Sequence, residues 1–146
     1  MNTATQQPDV VIGPDERLDR IEKKALLFAL WMFVLLNLIF RDLHEIVKAE
    51  FLAEALTGTY DGVEVTEALF LLGGILIEVP ILMILMSWAL PLRANKRANV
   101  VVAPLFGLLV VFGAPGDLDD FFHAGLELIA LAAIVRQASR WKESRS

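Results

Sequence analysis

Four long apolar stretches, separated by charged residues or by Gly and Pro, dominate the pattern along the chain. They cover Ala25–Phe40, Ala68–Leu90, Ala98–Gly113 and Phe121–Val135. A membrane-spanning helix needs about 20 mostly apolar residues, and the shorter stretches reach that length once their polar ends are included. We therefore predict an all-α fold, an antiparallel four-helix transmembrane bundle. The predicted spans are residues 25–45, 67–90, 98–113 and 119–136. Two spans plus two buried hairpins is the weaker alternative, because every stretch has polar or turn-forming flanks.

Both ends of the chain are predicted to lie outside a single membrane domain of residues 14–140. Pro14 suits the first position of a helix, and Asp15 and Glu16 suit the positive end of its dipole, so the first helix should start there and run into span one. Residues 1–13 have no basic segment ahead of an apolar core, so we expect a mobile cytoplasmic tail and not a cleaved signal peptide. Residues 141–146 are predicted to form a second cytoplasmic tail.

The connections between spans carry recognisable turn and cap residues. In the long connection between spans one and two, "TYDGV" contains the Asp-Gly signal of a two-residue hairpin, so a small outer lid of helix and hairpin is predicted, with Thr66 capping span two. Pro91 should close span two. The basic segment "PLRANKRANV" is predicted to be a loop in which Asn95 or Asn99 caps span three. Asp117 is expected to cap span four.

Charge sets the predicted orientation. Of the 13 Lys and Arg, four precede span one, three lie between spans two and three, and four follow span four, which leaves Arg41 and Lys48 for the opposite side. By the positive-inside rule, the chain is a multi-pass inner-membrane protein with both termini cytoplasmic. Twelve of the 18 Asp and Glu lie within the spans or on the predicted outer side of the membrane, so the outer face is electronegative. This favours cationic ligands and excludes nucleic acid as a partner.

Composition agrees with a bilayer location and limits the redox chemistry. The mean hydropathy is +0.58 and 56% of residues are hydrophobic, above the range of soluble domains. The chain has no cysteine, which excludes dithiol redox chemistry, and it carries no flavin or nucleotide signal. The expected partners are the lipid bilayer and either a second copy of the chain or another membrane protein.

Polar residues form stripes on three of the predicted spans. At about 100° per residue, the polar members of each stripe share one face and begin at the outer end of the span. They are Asn37, Arg41, His44, Glu45 and Lys48 on span one, Glu67 and Glu78 on span two, and Asp120, His123 and Glu127 on span four. Because a charge that faces lipid costs at least about 2.5–3.5 kcal/mol, these stripes should point into the bundle. His123 and Glu127 should meet span one at Arg41 and His44, with Arg41 and Glu127 compensating one another's charge.

The pair His123 and Glu127 lies one helical turn apart, and His44 is expected to approach it from span one. Imidazole and carboxylate ligands suit a divalent metal ion such as Zn²⁺, Fe²⁺ or Mn²⁺, so His44, His123 and Glu127 are a candidate metal set. The same residues could bind a proton or an organic cation, or serve only as hydrogen-bonded packing between helices. Bis-histidine haem is disfavoured because its propionates would meet carboxylates.

Depth singles out Glu78, which lies about 16 Å from Glu67 along the helix, near the midplane. It is expected either to donate a hydrogen bond to a neighbouring helix or to form the floor of a pocket. Gly73 and Gly74 would allow another helix to approach closely, with Pro104 and Gly107 of span three as the facing surface.

Three segments carry a resemblance to known sequences: "LWMFVLLNLIFRDLHE", "GTYDGVEVTEALFLLGGILIEVPILMILMSWALPLRANKRAN" and "GDLDDFFHAGLELIAL". Together they resemble an uncharacterised family of small bacterial four-helix membrane proteins and, more distantly, the DoxX-like group. The resemblance covers roughly residues 29–140. It implies the fold and the membrane location but no activity.

These observations leave three functional hypotheses open. The first is a binding or transport protein whose outward-facing polar pocket takes a proton, cation or small ligand. The ligand-binding residues would be Asn37, Arg41, His44, Glu45, Glu67, Glu78, Asp120, His123 and Glu127. The second is an accessory or structural subunit in which these residues are internal packing. The third, and weakest, is a metal-dependent membrane enzyme.

Overall fold

The computed structural model of the chain describes residues 13–60, 62–113 and 116–141. It contains five helices and one two-stranded antiparallel sheet in these regions. The elements are α1 (Pro14–Ile46), α2 (Ala49–Thr57), β1 (Thr59–Tyr60), β2 (Val63–Glu64), α3 (Glu67–Ala89), α4 (Leu92–Phe112) and α5 (Leu118–Ser139). The predicted all-α fold class is confirmed. Both predicted tails, residues 1–13 and 141–146, lie almost entirely outside the described residues.

Three helices, α1, α3 and α4, are long and apolar enough to cross a membrane. Helix α5, the fourth predicted span, is not among the candidates found in the described part of the chain, although it has 22 residues. Asp119, Asp120, Glu127 and Arg136 lower its apolar content. The structure therefore supports membrane-spanning helices, and a fourth span remains a proposal.

Helix α1 starts where the sequence predicts and continues without a break for 33 residues. Pro14 occupies its first turn, Asp15 and Glu16 lie at its positive end, and Arg20 pairs with Glu16 at 2.6 Å. An exposed ion pair four residues apart on a helix contributes only about 0.3–0.5 kcal/mol of stability, so this pair adds little to the stability of the helix start. The burial of Leu27, Trp31 and four further side chains holds the helix in place.

The short helix and the hairpin predicted between spans one and two are both present. Helix α2 ends at Gly58, whose φ of 76° is the left-handed conformation that glycine adopts without steric cost. Thr59 pairs with Glu64 and Tyr60 with Val63, which leaves a two-residue connection of which Asp61 lies outside the described residues. The Thr66 side chain accepts a hydrogen bond from the backbone N–H of Leu69 and caps α3, as predicted.

The helices do not close into a four-helix ring. Helix α1 packs along both α3 and α5, and α5 packs along α4, whereas the consecutive helices α3 and α4 touch at few positions. All four buried residues of α3 (Pro80, Met83, Ile84 and Ser87) lie in its second half, near the turn into α4. The expected α3–α4 hairpin is thus packed at its turn and open toward its outer end.

The basic segment between α3 and α4 is helical, contrary to the prediction of a loop. Helix α4 starts at Leu92, with Pro91 as its N-cap residue, and Asn95 and Asn99 are fully buried inside it. Neither asparagine is the predicted N-cap residue of α4. Helical periodicity explains the burial of the two asparagines. Asn95, Asn99 and Ala103 lie on one face, which packs against the rest of the protein, and Arg93 and Arg97 lie on the exposed side.

A buried chain of hydrogen bonds joins α1, α3 and α4 near the turn between α3 and α4. The Trp31 indole N–H donates to Asn99 Oδ1 (2.7 Å), and the Asn99 amide donates to the side-chain and backbone oxygens of Asn95. The Asn95 amide in turn donates to the backbone carbonyl of Ser87 at 2.8 Å. Three helices are therefore cross-linked by polar groups that have no access to water.

The other packing contacts also differ from expectation. A side chain added at Gly73 or Gly74 would meet no atom within 4 Å, so neither glycine is a close-approach site within the chain. Gly107 faces Leu128 and Leu131 of α5 and not α3. Trp141, predicted to begin a tail, is buried in the core, and the Lys96 ammonium donates to its carbonyl.

Candidate polar site between helices α1 and α5

Seven of the nine predicted ligand-binding residues lie along the interface of α1 and α5. Helix α1 supplies Asn37, Arg41, His44 and Glu45, and α5 supplies Asp120, His123 and Glu127. The helical periodicity of 3.6 residues aligns each set on one face, and the two faces meet because α1 and α5 pack along each other. We call this row of side chains the polar column.

The inner part of the polar column is an ion pair between Arg41 and Glu127. The guanidinium Nη1 lies 3.5 Å from Glu127 Oε2, Glu127 is 0% exposed, and Arg41 is also buried. The predicted contact is present. Neither Arg41 Nη1 nor the two Glu127 oxygens has a hydrogen-bond partner in the described part of the chain. The pair is held by charge attraction in a site shielded from water, where that attraction is strong.

His123 connects the two helices just outside this pair. Its Nδ1 lies 3.1 Å from Asn37 Oδ1, and the Asn37 amide nitrogen donates to the Phe33 carbonyl at 2.9 Å. With its oxygen facing the ring, Asn37 can only accept, so Nδ1 of His123 carries the proton. The His44 ring lies 5.6 Å away, and its Nδ1 is 3.7 Å from Asp119 Oδ2.

The predicted metal set His44, His123 and Glu127 does not form a ligand cluster. Among the described residues, the carboxylates of Glu45, Asp117 and Asp120 do, with ligand oxygens within 4.8 Å of one another. The predicted set does not form because two of its members have other partners: His123 Nδ1 contacts Asn37 Oδ1, and Glu127 pairs with Arg41. An all-oxygen set suits a hard cation such as Ca²⁺, Mg²⁺ or Mn²⁺ and not Zn²⁺.

The Lys48 side chain lies in this carboxylate cluster. Its Nζ donates to Glu45 Oε2 at 2.6 Å and to Asp117, and it lies 3.9 Å from Asp119 Oδ1. The hydrogen bond to Asp117 is the largest cause, and that to Glu45 the next, of a pKa for Lys48 raised above its ordinary value. The ammonium therefore stays charged at any physiological pH and acts as a tethered cation.

Asp120 is the unsatisfied member of the cluster. It is 1% exposed, and neither of its carboxylate oxygens has a hydrogen-bond partner among the described residues. A buried oxygen without a partner costs about 1–3 kcal/mol, and more when it is charged. Asp120 therefore leaves two strong acceptor atoms free within the carboxylate cluster.

Glu67 and Glu78 do not join the polar column. Both side chains are exposed on α3, which packs against α1 through its inner half. The prediction that they point into the bundle is wrong for the single chain, because α4 does not cover the outer half of α3. Asp117 also departs from prediction. It is the N-cap residue of α5, but its carboxylate makes no cap hydrogen bond and binds Lys48.

Comparison with family models gives one match, over residues 18–146, to a family of unknown function, DUF6326. The chain belongs to the DUF6326 family. The match includes every residue of the polar column, so this site lies within the family domain and not in an added segment. It shows no link to the DoxX-like group, and that part of the resemblance is unsupported. Comparisons with curated proteins and with solved structures give no match.

The residue of this DUF6326 site that sequence reasoning missed is Lys48. It shares the α1 stripe with Asn37, Arg41 and Glu45, but it lies after the last residue of α1, where helical periodicity no longer fixes direction. Its signals in the sequence were its place in that stripe and its charge, since Arg41 and Lys48 are the only two Lys or Arg residues between Lys24 and Arg93. Asp119 was treated as a helix-dipole residue and approaches both His44 and Lys48.

Proposed function

We propose that this protein is an integral membrane protein of the binding or transport type, whose outer carboxylate cluster takes up a cation. The observation that carries the proposal is Asp120, a buried carboxylate with two unpartnered oxygens beside the oxygens of Glu45 and Asp117. Three candidate spans support the membrane location, and, with α5 taken as the fourth span, the distribution of Lys and Arg supports cytoplasmic termini in an inner membrane. The cluster then faces the outside.

The chemistry of the column suggests how a cation would bind. Lys48 already places one positive charge among three carboxylates, so an arriving divalent ion must displace its ammonium. Asp120 then supplies the free oxygens, and Glu45 and Asp117 turn from Lys48 to the ion. Deeper in the column, below the cation site, His123 and Asn37 join the two helices by a polar contact.

Cation binding is tested on the detergent-solubilised protein by calorimetric titration with CaCl₂ and MnCl₂. We expect saturable binding in the wild type, and its loss in Asp120→Asn. Lys48→Gln should bind at least about tenfold more tightly, because the competing ammonium is gone. Glu50→Gln, which removes an exposed acid on α2, is the matched control and should bind like the wild type.

The rival function is an accessory subunit in which the column is internal packing, and the pairs Lys48–Asp117 and Arg41–Glu127 favour it. This rival function predicts the opposite results. Calorimetry would show no saturable heat of binding, and Lys48→Gln would have a lower stability that Ca²⁺ does not restore. Equal binding by Asp120→Asn and the wild type would also reject the cation site.

The orientation is tested by labelling single cysteines in intact cells, since the chain has no cysteine of its own. Leu56→Cys, on the exposed end of α2, should react with a membrane-impermeant maleimide, and Arg93→Cys should react only after lysis. Asn95 is unsuitable as the inner probe because it is buried. Equal labelling of both positions in intact cells would overturn the proposed topology.

A further inference from the structure

The direction of Glu78 on α3 is unexplained by any contact within the described chain. At about 100° per residue, Glu78 lies roughly half a turn round the helix from the centre of the buried residues Pro80, Met83, Ile84 and Ser87. Its side chain is exposed, so it points directly away from α1.

In the membrane location proposed above, this direction aims a carboxyl group at hydrocarbon. Glu78 lies 11 residues after Glu67, about 16 Å along α3 and near the middle of an apolar core about 30 Å thick. An acidic side chain facing lipid at that depth costs about 2.5–3.5 kcal/mol on the insertion scale, and such residues almost always face another protein group. Contact with lipid alone would therefore be unfavourable for this face of α3.

Glu78 is the polar position at mid-helix in a stripe of α3 that is otherwise apolar apart from Glu67, the first residue of the helix. Leu71, Gly74, Ile75, Leu82 and Leu85 fall within about 50° of a common line with it. The apolar side chains are open, from 65% exposed at Leu71 to 48% at Leu82, and a side chain added at Gly74 would meet nothing. One polar group among large apolar side chains and an open glycine is typical of a membrane helix–helix contact, where the polar group sets the register.

We propose that this face of α3 binds the same face of a second copy of the chain across a two-fold axis. A two-fold axis at mid-helix brings the two Glu78 carboxyl groups together. A protonated carboxyl both donates and accepts, so two copies can satisfy each other without a further group. Helix α3 carries no Lys or Arg, and the Arg41 guanidinium is already buried against Glu127, so neither supplies a cationic partner for Glu78.

Single-cysteine cross-linking in membrane vesicles tests the contact on the full chain, which has no native cysteine. Leu71→Cys and Leu82→Cys should each form a disulfide-linked dimer on mild oxidation. Leu105→Cys, an equally exposed apolar position on α4, is the matched control and should stay monomeric. Equal cross-linking from Leu105, or none from α3, would overturn the proposal.

Substitution of Glu78 tests the carboxyl pair itself. Sedimentation equilibrium in density-matched detergent should show that Glu78→Gln, which still donates and accepts, remains dimeric. Glu78→Leu should raise the dimer dissociation constant by about 5- to 30-fold. Gly74→Ile should weaken the dimer through steric clash. A monomeric wild type, or a Glu78→Leu variant that dimerises as tightly as the wild type, would reject the contact.

This inference rests on the proposed membrane location but not on the cation site. If the labels at Leu56 and Arg93 show that the chain does not cross the membrane, the location fails, whatever the cross-linking result. If those labels behave as expected and α3 gives no cross-link, only the self-association fails.

Discussion

Replacing Arg41 with methionine is expected to lower the free energy of unfolding by about 3–5 kcal/mol. The substitution keeps the long apolar stem but removes the only cation within 4 Å of Glu127 among the described residues, and Glu127 is 0% exposed. A buried carboxylate without a counter-charge then loses both its hydration and its ion pair. Glu127→Gln should cost a similar amount, because it leaves the buried guanidinium unpaired.

The double variant Arg41→Met/Glu127→Gln separates the pair from its surroundings. It should cost clearly less than the sum of the two single changes, because it leaves no unpaired buried charge. The quantity to measure is the unfolding free energy of each variant in mixed detergent micelles. Arg93→Met, which removes an exposed arginine on α4, should change that free energy by less than about 0.5 kcal/mol. Strict additivity would contradict the ion pair seen between α1 and α5.

Trp31→Ala is expected to cost about 3–5 kcal/mol, by loss of a large buried side chain and the cavity it leaves. The indole is 0% exposed and packs edge-to-face against Phe106 at 6.2 Å, so α1 and α4 lose a shared contact. Trp31→Phe keeps most of the ring but removes the N–H that donates to Asn99. It should cost about 1–3 kcal/mol, because the Asn99 oxygen then has no donor.

Trp88→Phe is the matched control for both tryptophan changes. Trp88 is 46% exposed and its ring meets Phe28 at 6.4 Å, so its replacement should have a small effect on stability. Thermal unfolding followed by near-ultraviolet circular dichroism would rank the three variants. A Trp31→Phe variant as stable as the wild type would mean that the buried chain of hydrogen bonds contributes no net stability.

Helical periodicity predicted the α1–α5 part of the site because both helices are long and mix polar with apolar residues. Arg41 and Glu127 were paired correctly on that basis alone, since two polar stripes in one small chain tend to face each other. The same rule was wrong for Glu78, because helix α3 is apolar on every side. Which side of such a helix is covered depends on its neighbours. The divergence of α4 from α3 could not be predicted from the sequence, and it leaves Glu78 exposed.

The two asparagines of α4 show a second limit of sequence reasoning. Asn95 and Asn99 lie among four basic or turn-favouring residues, so local composition indicated a loop. Their burial depends on Trp31, 64 or more residues earlier in the chain. Its indole N–H donates to the Asn99 side-chain oxygen, which offsets the cost of burying that amide. Lys48 shows the same limit at a helix end, where its direction is fixed by Asp117 of α5.

The length of α1 has a mechanical consequence. Its 33 residues make a rod of about 50 Å, longer than the roughly 30 Å of a hydrocarbon core, and they include no glycine and no proline after Pro14. Helices α3 and α4 each contain an internal proline, where a helix can bend. Helix α1 has no such bending point, so a rotation of its charged N-terminal segment would be transmitted along the whole helix to Arg41 and His44.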